Sequence, residues 1–476
     1  MQEFAKKRSA REQRGQVRGV HESISPADHR YYVQEVADRL SSEAFLGYLC
    51  MVEIALVKVL HNRGLCAQNI VEEVVQACEQ VGMDEVAAEE VRTKHDVRAV
   101  VNCIQKRLSD EAKRFVHCTA TSYDIIDTAR ALSYRDTMQD VVIPELLALE
   151  ETLIKLALRE ADTTQIGRTH GQHAVPITFG FSIASYVNRL GGCIVQLRER
   201  ATELRGKFSG AVGAYNASTL FFENPELFEE DILKELGISP ALCSTQIAPP
   251  EPIIRLMQEA AMAAGVMANV ARDMRNLQRT EIAEVAEGMS DGQVGSSTMA
   301  HKQNPITFEN IESMYKIVQG HMVTVVLDQV SEHQRDLTGS ASARTYPEII
   351  NYVVYMARRL NRAMKKLVVC RESISRNLEF QRGLIVAEPL YLTLAALGHP
   401  DAHEKVRELS MRAREQGRPL EELAQQDEEL KPYFAEMTKD QRRVFTMPER
   451  LYTGIAAQKA VRVAEAWASK LNITLS

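Results

Sequence analysis

The chain has 476 residues, 45% of them hydrophobic and 25% charged, which is the composition of a soluble globular protein with room for two to four domains. A formal net charge of −7 gives no general attraction for nucleic acid or for an anionic membrane surface. Eight cysteines are scattered without a CxxC pair, so zinc-ligand spacing is excluded and a reduced, cytoplasmic setting is expected.

Residues 1–24 lean basic, with Lys6, Lys7, Arg8, Arg11, Arg14 and Arg18, and read as a solvated tail or an interaction arm. No apolar secretory segment follows. Residues 37–61 repeat apolar side chains at helical spacing. The most apolar part, residues 45–60, is too short for a membrane span and is interrupted by Glu53 and Lys58. Residues 71–80 and 91–108 predict shorter helices, which makes residues 25–119 an N-terminal helical domain.

The middle of the chain changes scale. Residues 128–161, 178–207, 251–285, 308–330 and 347–369 are long periodic segments, each roughly 30–50 Å at ~1.5 Å per residue. Helices of matched length bury their stripes most simply side by side, so residues 120–370 predict a central bundle. The period shortens again at residues 388–397, 402–415, 420–426 and 457–471, a smaller helical domain over 371–476. The expected class is all-α, in three helical domains. Three polar, irregular stretches interrupt the bundle: residues 117–127, 167–180 and 287–305.

The third stretch carries Gly295-Ser296-Ser297-Thr298-Met299-Ala300-His301-Lys302-Gln303-Asn304. Hydroxyls, a cation, an amide and loop N–H groups at one point could stabilise a developing oxyanion, or simply join two helices. Upstream, residues 287–293 hold two glycines and no helical period, so a mobile loop is expected. In the first stretch, Thr119 to Asp124 offers hydroxyls and N–H donors before a helix opening near Asp127-Thr128. That suits a carboxylate, or only a helix cap at Ser122 or Asp127. In the second, His170 and His173 lie between Gly167 and Pro176 with no carboxylate at ligand spacing, which favours acid–base work over metal. His95-Asp96 sits in a helix-like segment, where neighbouring side chains diverge. Arg335 and Arg344 flank hydroxyls and small residues, a pattern for phosphate or carboxylate, or for a capped helix start with surface arginines.

In their order, the three stretches resemble the motifs of the fumarase/aspartase superfamily. Residues 295–309 match G-S-S-x-M-P-x-K-x-N-x-x-x-x-E at all but one position, with Glu309 as the last acid. Past the basic tail, the chain is most similar to the branch that acts on succinylated purine nucleotides.

The resemblance implies a homotetramer on a multi-helix core, with active sites shared by three subunits. It implies β-elimination across a C–N bond with release of fumarate, needing no metal or organic cofactor. Ser296 would be the base, with Lys302 and other donors favouring its alkoxide. His170 would protonate the leaving nitrogen, and His95 and His117 would orient substrate. Thr121, Ser122, Lys302 and Asn304 would hold the carbanion's charge. Asp96, Thr169, Ser297 and Met299 would complete the substrate contacts, and Gln246 would meet the succinyl carboxylate. Arg30, Tyr31, Arg335, Ser340 and Arg344 would hold the nucleotide phosphate.

Three departures stand out: Ala300 in place of a proline, Thr119 in place of a glycine, and a proline-rich segment, residues 247–252, without the arginine several lyases carry. Competing expectations are a sister lyase acting on argininosuccinate, a carboxymuconate cycloisomerase, or a lyase-fold protein with only a structural role.

Overall fold

The computed structural model describes residues 24–288, 299, 302–380 and 382–475. The architecture is all-α, with only three two-stranded sheets among the described residues. The chain divides into two compact units. One comprises the described residues within 1–142, 198–261 and 317–355; the other comprises those within 143–197, 262–316 and 356–476.

The first unit is built on the helix Ser42–Asn62, which packs on Gln68–Gln80, Ser122–Thr137 and Pro225–Glu235. Ser41 caps it, its side chain accepting from Ala44 N–H. At 21 residues this helix is long and apolar enough to cross a membrane. It is a core helix instead. Leu46, Val52, Leu56 and Leu60 are buried, each worth roughly 1.5–3 kcal/mol on burial, and fully buried Glu53 is hydrogen-bonded on the same helix.

Two predicted helices are broken. Residues 91–108 form the end of Met83–Thr93 and the separate helix Asp96–Gln105. Lys94 turns left-handed at φ 53° and ends the first; His95, extended, caps the second with its own ring. Residues 128–161 are divided by a π turn, Met138–Val142, just before Pro144. Proline has no N–H to give and crowds the carbonyl four residues back, so one extra residue is taken into the turn.

In the second unit, the helix Ile143–Arg159 packs against the C-terminal helix Ala456–Leu471. Trp467 sits on Gly191, where a Cβ would fall 2.4 Å from the indole, and donates its N–H to Asn188 at 3.0 Å. Val386, Leu390, Leu409, Leu420 and Phe445 belong to a separate C-terminal core.

Most of residues 167–180, expected to be irregular, belongs to an antiparallel hairpin, Thr164–Thr169 with Gln172–Thr178. Its two-residue turn is His170-Gly171, with φ 55° and 72°. A turn with both central residues left-handed matches the strand twist, and His-Gly serves there as Asn-Gly does.

Glu150, on Ile143–Arg159, is fully buried, and neither carboxyl oxygen has a hydrogen-bond partner among the described residues. Burial pushes its carboxyl up to about 9. The unfolded chain releases this proton near the ordinary glutamate value and the folded chain holds it. Stability therefore falls as pH rises from about 4.5 to about 9, by up to about 1.4 kcal/mol per pH unit. Glu150→Gln should flatten that fall and raise the melting temperature at pH 8. Parallel melting curves of the two proteins from pH 5 to 9 would refute this.

Candidate active site

The residues expected to do chemistry divide between the two units. In the first, His95 Nδ1 lies 3.3 Å from Arg98 N and accepts its proton, so the neutral ring carries its own proton on Nε2. That Nε2 faces Ser122 Oγ at 3.5 Å. Asp96, which a helical reading would turn away, has Oδ1 3.5 Å from Nδ1, because His95 is a cap residue and not part of the helix. Arg344 reaches Asp96 at 3.9 Å. Four residues from three separate motifs thus form one cluster: His95, Asp96, Ser122 and Arg344.

His117 is held by Glu53, whose carboxylate accepts from both Nδ1 and the backbone N–H at 2.8 Å. Burial opposes the charged ring, but the Glu53 hydrogen bond and charge outweigh it and raise His117 above the ordinary histidine value. His117 and Thr119 are both left-handed, at φ 61° and 62°. Glycine would adopt that conformation freely; a β-branched threonine there is strained. The departure at Thr119 therefore has a physical consequence.

The helix after this loop starts at Ser122, earlier than expected, with Thr121 as cap. Thr121 N–H donates to Asp124 Oδ2 at 2.8 Å, and the other oxygen of buried Asp124 pairs with fully buried Lys207 and accepts from Gly210 N–H. The ion pair fixes the loop carrying Thr121 and Ser122 to residues 207–210.

Gln246 lies in a loop seated on Gly213, where φ is +77° and a Cβ would stand 2.0 Å from Ser244 O. Any side chain there would displace the loop. Tyr31 packs edge-on against Tyr355 at 5.3 Å, and Asn351 clamps the Arg30-Tyr31 segment by accepting from Val33 N–H and donating to Tyr31 O. Arg335 has φ 96° and lies over Gly339, where a Cβ would come within 2.6 Å of Nη2; Ser340 is exposed beside it. No described contact joins Arg30, Tyr31 or Gln246 directly to the His95 cluster.

In the second unit, Thr169 and His170 are exposed at the hairpin tip. The hairpin's base is anchored by Glu284, which is fully buried and accepts from Arg168 through two N–H groups, from Gln165 at 2.6 Å and from Asn377 at 2.8 Å. His173 packs edge-on against Phe380, and burial, then Arg168, lower its pKa. Three residues after Glu284, Glu287 accepts from Thr307 N–H at 3.1 Å and from the Thr307 hydroxyl. The two ends of the segment bearing the third motif are clasped together. Met299 and Lys302 are exposed and Asn304 half-buried. Ser296, Ser297 and most of the expected mobile loop lie outside the described residues.

Residues 21–320 match the family described as "Lyase". The chain belongs to the fumarase/aspartase superfamily of lyases. Residues 331–441 further match the superfamily domain described as "Adenylosuccinate lyase C-terminal". Among superfamily relatives, the adenylosuccinate lyase of Pyrococcus abyssi is 36% identical, over 87% of this chain and 92% of its own. That of Pyrococcus horikoshii is 34% identical, over 93% and 98%. A solved structure of the 3-carboxy-cis,cis-muconate lactonizing enzyme from Pseudomonas putida aligns with a TM-score of 0.81 at 25% identity, covering 92% of this chain and 98% of that one.

Glu53, Asp124, Lys207, Glu284 and Asn351 were not singled out from sequence. Glu53 leaves a trace there as a charge interrupting an apolar run, and Asp124 as the end of a stretch read for its hydroxyls and N–H donors.

Proposed function

We propose that this lyase cleaves adenylosuccinate to AMP and fumarate, and the corresponding succinyl-carboxamide imidazole nucleotide in the same way. The observation that carries the reading is the contact of Arg344 with Asp96, beside a His95 that faces Ser122. A cation suited to phosphate and a motif suited to the succinyl carboxylate meet in one unit. Relatives that carry the name adenylosuccinate lyase, similar over most of the chain, support the same substrate.

In this mechanism the Ser296 alkoxide takes a proton from the succinyl carbon next to a carboxylate. The electron pair is held as a carboxylate-stabilised carbanion, with Lys302, Asn304, Thr121 and Ser122 around the charge. It then forms the fumarate double bond as the C–N bond breaks, and His170 gives its proton to the departing nitrogen. His95, oriented by Arg98 N–H, and His117, oriented by Glu53, hold the substrate. Thr169, Ser297, Met299 and Gln246 complete the succinyl side, and Arg30, Tyr31, Arg335, Ser340 and Arg344 the phosphate. His170 stands at an exposed tip, which suits a residue given to a neighbouring subunit. We infer a cytoplasmic location from the scattered cysteines and a homotetramer from the family resemblance, with helical domains over residues 25–119, 120–370 and 371–476.

Purified protein mixed with adenylosuccinate should lose the substrate's ultraviolet absorbance as fumarate forms. No turnover of it, together with turnover of argininosuccinate, would overturn the substrate. Arg344→Ala should raise KM roughly 10- to 100-fold, the value of a charge-assisted hydrogen bond, with little change in kcat because the phosphate is remote from the bond broken. A fall in kcat at unchanged KM would place Arg344 elsewhere in the mechanism.

A further inference from the structure

We propose that Arg130 is a third guanidinium of the anion site, binding the nucleotide's phosphate together with Arg335 and Arg344. The inference rests on the nucleotide reading above and adds a residue that neither motif nor spacing singled out.

Arg130 lies two helical turns beyond Ser122 on Ser122–Thr137. It lines three cavities, of about 70, 190 and 120 Å³. It shares the first with Arg335 and the other two with Arg344. Ser41 and Ser42 add hydroxyls to the second.

The donors of these three arginines are unused. Among the described residues, no hydrogen bond is made by the guanidinium of Arg130, Arg335 or Arg344. Arg130 has Asp127 at 3.6 Å and Arg344 has Asp96 at 3.9 Å, both too long for a hydrogen bond. Arg335 Nε is shut off from solvent with no partner.

Two other arginines of the same unit do spend donors on protein acceptors. Arg63 gives two N–H groups to Asp231, and Arg135 bonds both Asp136 and Gly237 O. Two carboxylates beside the cavities are already engaged. Asp328 accepts from Ser342 and Tyr346 hydroxyls, and Asp127 from Ala248 N–H.

A buried donor without an acceptor is costly, as at Arg335 Nε, so the cavities that Arg130 shares with Arg335 and with Arg344 mark a place for an anion with several oxygens. A phosphate monoester has three terminal oxygens, and the guanidinium fork fits them in pairs. Arg130 is 24% exposed and Arg344 72%, so Arg130 is the less solvated partner and its bond to phosphate the less screened.

The test compares wild type with Arg130→Gln and Arg130→Lys. Turnover is measured on adenylosuccinate and on its dephosphorylated nucleoside, and inorganic phosphate binding by calorimetry. We expect Arg130→Gln to raise KM for the nucleotide at least about tenfold with kcat within about threefold, to leave KM for the nucleoside unchanged, and to weaken phosphate binding. Arg130→Lys keeps the charge without the fork and should fall between. An unchanged nucleotide KM, or equal rises for nucleotide and nucleoside, would overturn the proposal, the latter by showing a packing role. Should wild type fail to turn over adenylosuccinate, the proposed function fails, and phosphate binding still decides Arg130. Binding lost in the glutamine variant supports it; binding unchanged in that variant sinks it. If the glutamine variant does not fold, the lysine variant decides on the same readings.

Discussion

Ser296→Ala is expected to lower kcat roughly 10²–10⁴-fold, the usual worth of a positioned base, while adenylosuccinate still binds. A serine hydroxyl ionises far above neutral pH, so its use as a base requires an environment that favours the alkoxide. Lys302, six residues on, supplies a cation from the same segment. Alanine removes the only atom that accepts the proton and leaves the phosphate and carboxylate contacts in place. Binding should therefore survive: equilibrium dialysis with the variant should return a Kd close to the wild-type KM. Near-normal turnover would remove Ser296 from the role of base and direct attention to His95 or His117.

Glu284→Ala is expected to be strongly destabilising, by roughly 3–5 kcal/mol. The carboxylate is fully buried and receives N–H groups from Arg168, Gln165 and Asn377. Alanine leaves a mostly buried guanidinium, 16% exposed, without its counter-charge, and two amides without an acceptor. Glu284→Gln keeps the shape but cannot neutralise Arg168, so it should lose less. Urea unfolding followed by Trp467, the chain's single tryptophan and a member of the same unit, reads the effect. A midpoint shift no larger than that of a surface control would show that the network contributes nothing net. Activity should fall with stability, because the hairpin that carries His170 is anchored at this residue.

The contrast between these two residues shows what sequence conveys. Ser296 stands in a dozen contiguous residues whose types declare a chemistry. Glu284 acquires meaning only from Arg168, 116 positions away, and a pairing of that kind leaves no local pattern. The same holds for Lys207 with Asp124 and for Glu53 with His117. The long helices were legible because burial of one face imposes a period on every turn. Their interruptions were less so, since Lys94 breaks a helix through one backbone angle and Pro144 shifts its turn without ending the helix. The hairpin is less legible because its histidine also suits acid–base chemistry, although a His-Gly pair between short alternating runs is a turn signal.

The reversal at His170-Gly171 restricts what can replace the histidine. Because its backbone is left-handed, only glycine, asparagine, aspartate and a few others sit there without strain. Asparagine alone among the uncharged members keeps a side chain with a comparable polar tip while having no proton to exchange near neutral pH. His170→Asn is thus the replacement that separates proton delivery from local architecture, whereas valine or isoleucine at the same place would disturb both at once.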